Sequence, residues 1–169
     1  MVQKPGRSIV AASAVILLFL TSQLAAIPAA PAAPATLTGR VAWVYDGDSF
    51  RLSAGDGPVE VRIFGIDCPE KGQPFADRAR DFVIRRAKGR QVTVLVQDRD
   101  RYGRLIGVVI LDDGTDLSHA LLANGLAWHY RRYSRDPVQA ALQRRAAARK
   151  KGLWRQADPV PPWDYKRTR

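Results

Sequence analysis

Three short stretches of this chain concentrate groups able to act on a phosphate ester. Asp46-Gly47-Asp48-Ser49 places two carboxylates in one turn. Arg62-Ile63-Phe64-Gly65-Ile66-Asp67-Cys68-Pro69-Glu70 carries an arginine on an apolar run, then two acids that flank a proline. Asp100-Arg101-Tyr102-Gly103-Arg104 is a tight turn that leads into the most apolar run. Taken singly, each has an ordinary reading. Asp-Gly is a hairpin turn, Asp-x-Pro-Glu a solvated loop, and an arginine at a strand entrance a guard of the sheet edge. Together they hold the parts that phosphodiester hydrolysis requires. Carboxylates bind a hard divalent cation through oxygen, and such a cation can bind both the substrate oxygen and the attacking water. Arginine's planar fork matches two phosphate oxygens and keeps its charge at any working pH. If Asp46, Asp48, Asp67 and Glu70 converge, their repulsion calls for a cation or raised pKa values. Arg62 and Arg104 would then clamp the substrate. The candidate ligands are all hard oxygens and Cys68 is the sole cysteine, so the expected ion is calcium-like, not zinc-like.

These stretches need elements to hold them. Val41, Trp43 and Tyr45 alternate with smaller residues, Phe50 and Leu52 continue after the Asp-Gly turn, and Val59, Val61 and Ile63 alternate again. That reads as three strands. Over residues 74–88 the period changes, with Phe75, Ala79, Phe82, Val83 and Ala87 on one helical face. Val92, Val94 and Val96 return to period two, and Leu105 to Leu111 fits a strand buried on both faces. Asp116 can cap a short helix that ends at Gly125, and Asp136-Pro137 starts a longer one. The expected fold class is α+β. Five strands interrupted by a helix and carrying a basic surface point to a small barrel of the OB type, preceded by a signal peptide.

Charge and the N-terminus narrow the setting. The chain has 27 Lys and Arg against 16 Asp and Glu, a formal net charge of +11. Only Lys4 and Arg7 of those cations precede residue 36, so the excess belongs to the folded part and favours a polyanionic partner. Lys4 and Arg7 are followed by an apolar or small run of 12 residues, Ile9–Leu20. A membrane span needs about 20, so this run suits a signal peptide. Residues 1–26 are expected to be that signal peptide, or an anchor if uncleaved, with other small-residue sites further along. The alternating Ala and Pro of residues 27–36 read as a tether, and residues 37–169 as the domain. The expected location is secreted or periplasmic.

The ordered set of DGDS, R-I-F-G-I-D-C-P-E, D-R-Y-G-R and Asn124-Gly125-Leu126-Ala127 resembles the staphylococcal nuclease (thermonuclease) family. Gly152-Leu153-Trp154 and Pro161-Pro162-Trp163 are similar to the C-terminal signature of its exported bacterial members. The resemblance runs from about Thr38 to Tyr165. It implies a five-stranded OB barrel with three helices and a calcium-dependent nuclease that cleaves DNA and RNA to 3′-phosphate ends. It further implies that Asp48 and Asp67 ligate the ion with the backbone carbonyl of Cys68, and that Asp46 is an outer-shell acid. Glu70 corresponds to the general base, and Arg62 and Arg104 to the arginines on the phosphate. Cys68 stands where the best-known member has threonine, and the segment between Glu70 and the helix is too short for a substrate-gripping loop.

Outside these motifs the signals are weaker. Tyr102, in the third stretch, is a further substrate-contact candidate. Trp128-His129-Tyr130-Arg131-Arg132-Tyr133 interleaves aromatics and arginines as single-strand binders do, which makes Tyr130 and Tyr133 substrate-contact candidates. The opposing reading is that Trp128 and Tyr130 are core. His119 reads as a surface or core-edge residue, and the run Arg144 to Lys151 as a solvated helix face. No obligate protein partner is evident, and a monomer acting on DNA and RNA is expected. The alternative is an OB-fold nucleic-acid-binding module without activity. Such a module has no need to keep Asp48, Arg62, Asp67, Glu70 and Arg104 together.

Overall fold

A computed structural model describes Met1 and residues 35–168. The expected signal run Ile9–Leu20 and the tether as far as residue 34 lie outside the described residues. The chain divides into two units, Met1–Ala32 and Ala33–Arg169, and the described strands and helices belong to the second.

Five strands close into a barrel: β1 (Thr36–Val44), β2 (Ser49–Ala54), β3 (Gly57–Ile63), β5 (Gln91–Arg99) and β6 (Leu105–Leu111). Their order is β1-β2-β3-β6-β5, with β5 pairing back onto β1. Every pairing is antiparallel except β3 with β6, which run parallel. The period-two apolar pattern sends Phe50, Leu52, Val61, Ile63, Val92 and Val94 inside, each at most 1% exposed. This is the α+β barrel that the strand pattern implied.

Two details depart from the sequence pattern. Pairing between β1 and β2 shifts register between Val41 and Trp43, a bulge that turns the next residues over. Trp43 therefore lies 50% exposed while Val44 is buried, and the expected alternation of Val41, Trp43 and Tyr45 is broken. The run Leu105–Leu111 is not buried on both faces. Leu105, Gly107, Val109 and Leu111 point inward, and the residues between them are half-buried. A further two-residue ladder, β4 (Ile66–Asp67) with β7 (Trp128–His129), went unforeseen because so short a strand leaves no periodic trace.

Helices cover the barrel. α1 (Ala76–Ala87) buries Ala79, Val83 and Ala87, the face expected of it. α2 (Leu117–Ala123) buries Leu117, Leu121 and Leu122, and α3 (Pro137–Ala148) packs on α2. Both start where their sequence says. Asp116 accepts from the amides of Ser118 and His119 at 2.8 and 3.2 Å, and Asp136 from that of Val138 at 2.7 Å. The end of α2 then meets the 3-10 turn Gly152–Arg155, where the amide of Leu153 donates to the carbonyl of Gly125 at 2.8 Å. Gly125 and Gly152 have φ of 62° and 59°, and a Cβ on either would strike the other's backbone neighbourhood. Those two motifs are thus two halves of one contact. The described chain ends in α4 (Pro162–Tyr165) and a 3-10 turn, Lys166–Thr168.

Candidate active site

The Asp46–Ser49 turn is built by its first acid. Asp46 Oδ1 accepts from the amides of Asp48 and Ser49 at 3.0 and 2.7 Å and from the Ser49 hydroxyl at 2.6 Å. Asp46 is therefore a brace that aims Asp48 at the barrel end. Gly47 allows the turn to close down. A Cβ there would lie 2.7 Å from the Ala79 Cβ on α1 and 2.8 Å from the Cys68 side chain.

Asp48 and Asp67 are each 2% exposed and meet on one guanidinium. Arg62 donates through Nη1 to Asp48 at 2.7 Å and through Nη2 to Asp67 at 2.6 Å. The amide of Cys68 donates to the other oxygen of Asp48 at 2.6 Å. Burial pushes the Asp48 carboxyl up to about 8; Arg62 opposes this, and Asp46 and Asp67 reinforce it. Burial likewise raises Asp67 against the pull of Arg62 and Lys166. Burial works to lower Arg62, but the two carboxylates outweigh it and hold the guanidinium charged. The Cys68 thiol is pushed well above its ordinary value by burial and by the neighbouring acids, so it stays protonated and is no thiolate ligand.

Among the described residues, no three His, Cys, Asp or Glu side chains form a group able to hold a metal ion. The oxygen donors that meet here are the carboxylates of Asp48 and Asp67, both in reach of one guanidinium. When both are ionised, two buried acids against one arginine carry surplus negative charge in a poorly solvated place, and the raised Asp48 and Asp67 record that cost. Such a site fits a hard divalent cation.

Arg62 also lines a cavity of about 960 Å³, together with Tyr102, Arg104, Tyr130, Tyr133 and Lys166. Arg104 gives Nε to Asp100 at 2.8 Å, and its guanidinium lies 5.7 Å from the Tyr102 ring. Burial would raise Asp100, but the bonds from Arg104 and Tyr102 prevail and keep it below the usual carboxylate range. Tyr102 and Tyr133 are 70% and 60% exposed, open to a ligand, whereas Tyr130 is half-buried in an aromatic cluster. Its ring stacks on Trp163 at 4.9 Å and 8°, and Tyr133 meets its edge at 4.9 Å. Tyr130 is thus packed as its core reading expects, while Tyr133 lies on the surface.

Glu70 stands apart from the buried acids, with Lys166 Nζ 2.8 Å from its Oε1. Sequence reasoning missed Lys166, since nothing local links residues so far apart in the chain. It also missed Gln73, which is 8% exposed and pins the Glu70 turn. Its Oε1 accepts from the Glu70 amide at 2.9 Å and its Nε2 donates to the Val160 carbonyl at 2.6 Å. His119 lies at the edge of α2, 3.7 and 3.6 Å from Asp116 and Asp136, away from this site.

Residues 60–156 match the family described as Staphylococcal nuclease homologue. A protein of Escherichia coli O157:H7 named an uncharacterized endonuclease is 40% identical over 136 residues, 80% of this chain and 89% of the relative. Protein ParB of Escherichia coli is 35% identical over 154 residues, 85% of this chain and 87% of the relative. A staphylococcal-like nuclease of Arabidopsis thaliana is 33% identical over 109 residues, 64% of this chain and 33% of the relative.

Proposed function

The chain belongs to the staphylococcal nuclease family, and from that premise we propose that it is an exported nuclease that hydrolyses phosphodiester bonds of DNA and RNA with calcium. The observation that carries this reading is the meeting of Asp48, Asp67 and Arg62 at the edge of a cavity that Arg104 also lines. When bound between Asp48, Asp67 and the Cys68 carbonyl, the ion supplies Lewis-acid polarisation of a phosphoryl oxygen. The remaining work belongs to side chains. Arg62 has five donors and spends two on the acids, so it can also donate to a non-bridging phosphate oxygen. Arg104, from the entrance of the neighbouring strand β6, donates to the same phosphate. Glu70 takes a proton from the attacking water as its oxygen bonds to phosphorus. The bond to the 5′ oxygen breaks, that oxygen takes a proton from solvent and leaves as a hydroxyl, and the phosphate stays on the 3′ oxygen.

The test is cleavage of plasmid DNA and of RNA by the purified chain in calcium and in a calcium-selective chelator. Degradation of both polymers with calcium, its loss in chelator and its return on re-addition are expected. Full activity in chelator would overturn the metal assignment. Binding without cleavage under every condition would leave the non-catalytic module.

A further inference from the structure

Cations outnumber acids in the lining of the large cavity, four against Asp98 and Asp100. Arg62, Arg101, Arg104 and Lys166 all line the same hollow, and Lys166 arrives there from the C-terminal segment, outside the three motif stretches. Several contacts fix that segment independently of its lysine. Gln73 holds the Val160 carbonyl at 2.6 Å, and Pro162 is buried. Trp163 stacks flat on Tyr130 and meets Trp128 edge-on at 5.9 Å. These contacts hold the segment against the groove and deliver the Lys166 ammonium beside Glu70. From this segment it is Lys166 that reaches the cavity lining.

The partner that Lys166 has here is a replaceable one. Its side chain is 53% exposed and that of Glu70 33%, and a single half-solvated ion pair contributes little. Burial works to lower the ammonium, but the bond to Glu70 and the field of Asp67 keep it charged. A flexible point charge of this kind suits a phosphate oxygen as well as a carboxylate.

Resting on the nuclease reading, we infer that Lys166, held in place by the packing of Val160, Pro162 and Trp163, lines the substrate groove and binds a phosphate of the nucleic-acid strand adjacent to the scissile one. On binding, the ammonium exchanges Glu70 for that phosphate. The strand itself thereby frees the carboxylate that the attacking water needs.

The experiment is equilibrium binding of a fluorescently labelled single-stranded deoxyoligonucleotide to the full chain, in chelator so that nothing is cut, across a range of salt. Lys166→Met is expected to weaken binding by roughly 3- to 10-fold and to lower the slope of log affinity against log salt by about 0.7, the share of one single-strand phosphate. Lys166→Arg should keep both affinity and slope, which a purely structural defect would not allow. A slope equal to wild type in Lys166→Met overturns the inference, whatever happens to affinity. A rise in affinity also overturns it and makes the lysine a plug. Because no turnover is read, an inactive wild type would sink the nuclease reading and leave this comparison standing.

Discussion

Arg62 and Arg104 hold their carboxylates in different settings. Arg62 sits between two buried acids, whereas Arg104 gives one nitrogen to Asp100, whose side chain is 14% exposed. Removing Arg62 strands Asp48 and Asp67 together, and breaking a buried pair costs about 3–5 kcal/mol. Arg62→Ala is therefore expected to lose both activity and stability, as read by urea unfolding. Arg104→Ala should unfold within about 1 kcal/mol of wild type yet lose on the order of 10²–10³ in kcat. Arg104→Lys should restore little, because a point charge does not reproduce the planar fork. Near-wild-type turnover in folded Arg104→Ala would remove this arginine from the site. Most of these groups were legible in the sequence, because Asp48, Arg62, Asp67, Glu70 and Arg104 fall in motifs whose order identifies them. What was not legible is their current bonding. Spacing says nothing of Arg62 joining both acids, or of Lys166 closing on Glu70.

Turns and caps decide where those side chains end up. The Asp46–Ser49 turn lies against α1 with no room to spare, since a Cβ on Gly47 meets Ala79 and Cys68 at once. Gly47→Ala should therefore destabilise the protein by about 1–3 kcal/mol and depress activity more than the instability alone explains, because the turn carries Asp48. Thermal melts alongside steady-state cleavage below the melting range measure both. Activity in proportion to the folded fraction would show that the turn is only packing. At this scale the helices read best, because Asp116 and Asp136 cap by local chemistry visible in a few residues. Strand faces read less well. The bulge after Val41 exposes Trp43 against its pattern, and the inner face of β6 could not be told from its outer one when both were apolar. The β4–β7 ladder is a product of tertiary contact, with Ile66 and Asp67 paired to residues 63 and 61 positions away.

Across the whole molecule, a net charge of +11 faces a polyanionic substrate, and the acids of the site are held in a basic surround. A nuclease of broad reach inside its own cell would endanger that cell, which accords with the proposed export through Lys4, Arg7 and the run Ile9–Leu20. Cell fractionation should recover the active chain outside the cytoplasm, shortened at its N-terminus. Full-length active protein in the cytoplasmic fraction would overturn that proposal, and full-length protein in the membrane fraction would favour an anchor. Among the described residues, no helix is long and apolar enough to cross a membrane. Barrel closure was legible from five apolar strands and a basic balance. The return of the C-terminal segment to the groove was not, because it depends on Trp163 finding Tyr130 in three dimensions.

That aromatic cluster also makes the protein its own optical reporter. Of the four tryptophans in the chain, Trp128 lies 4.4 Å from Trp154 and 5.9 Å from Trp163, near enough for their excited states to couple. The near-ultraviolet circular dichroism should therefore carry a paired exciton band set by how the C-terminal segment is seated. Trp163→Phe should remove the Trp128–Trp163 share of that band and leave the Trp128–Trp154 share, while Trp43→Phe, at the exposed bulge, leaves both intact. Since Tyr130 both stacks on Trp163 and lines the groove, the arrival of an oligonucleotide should shift the band without any attached dye.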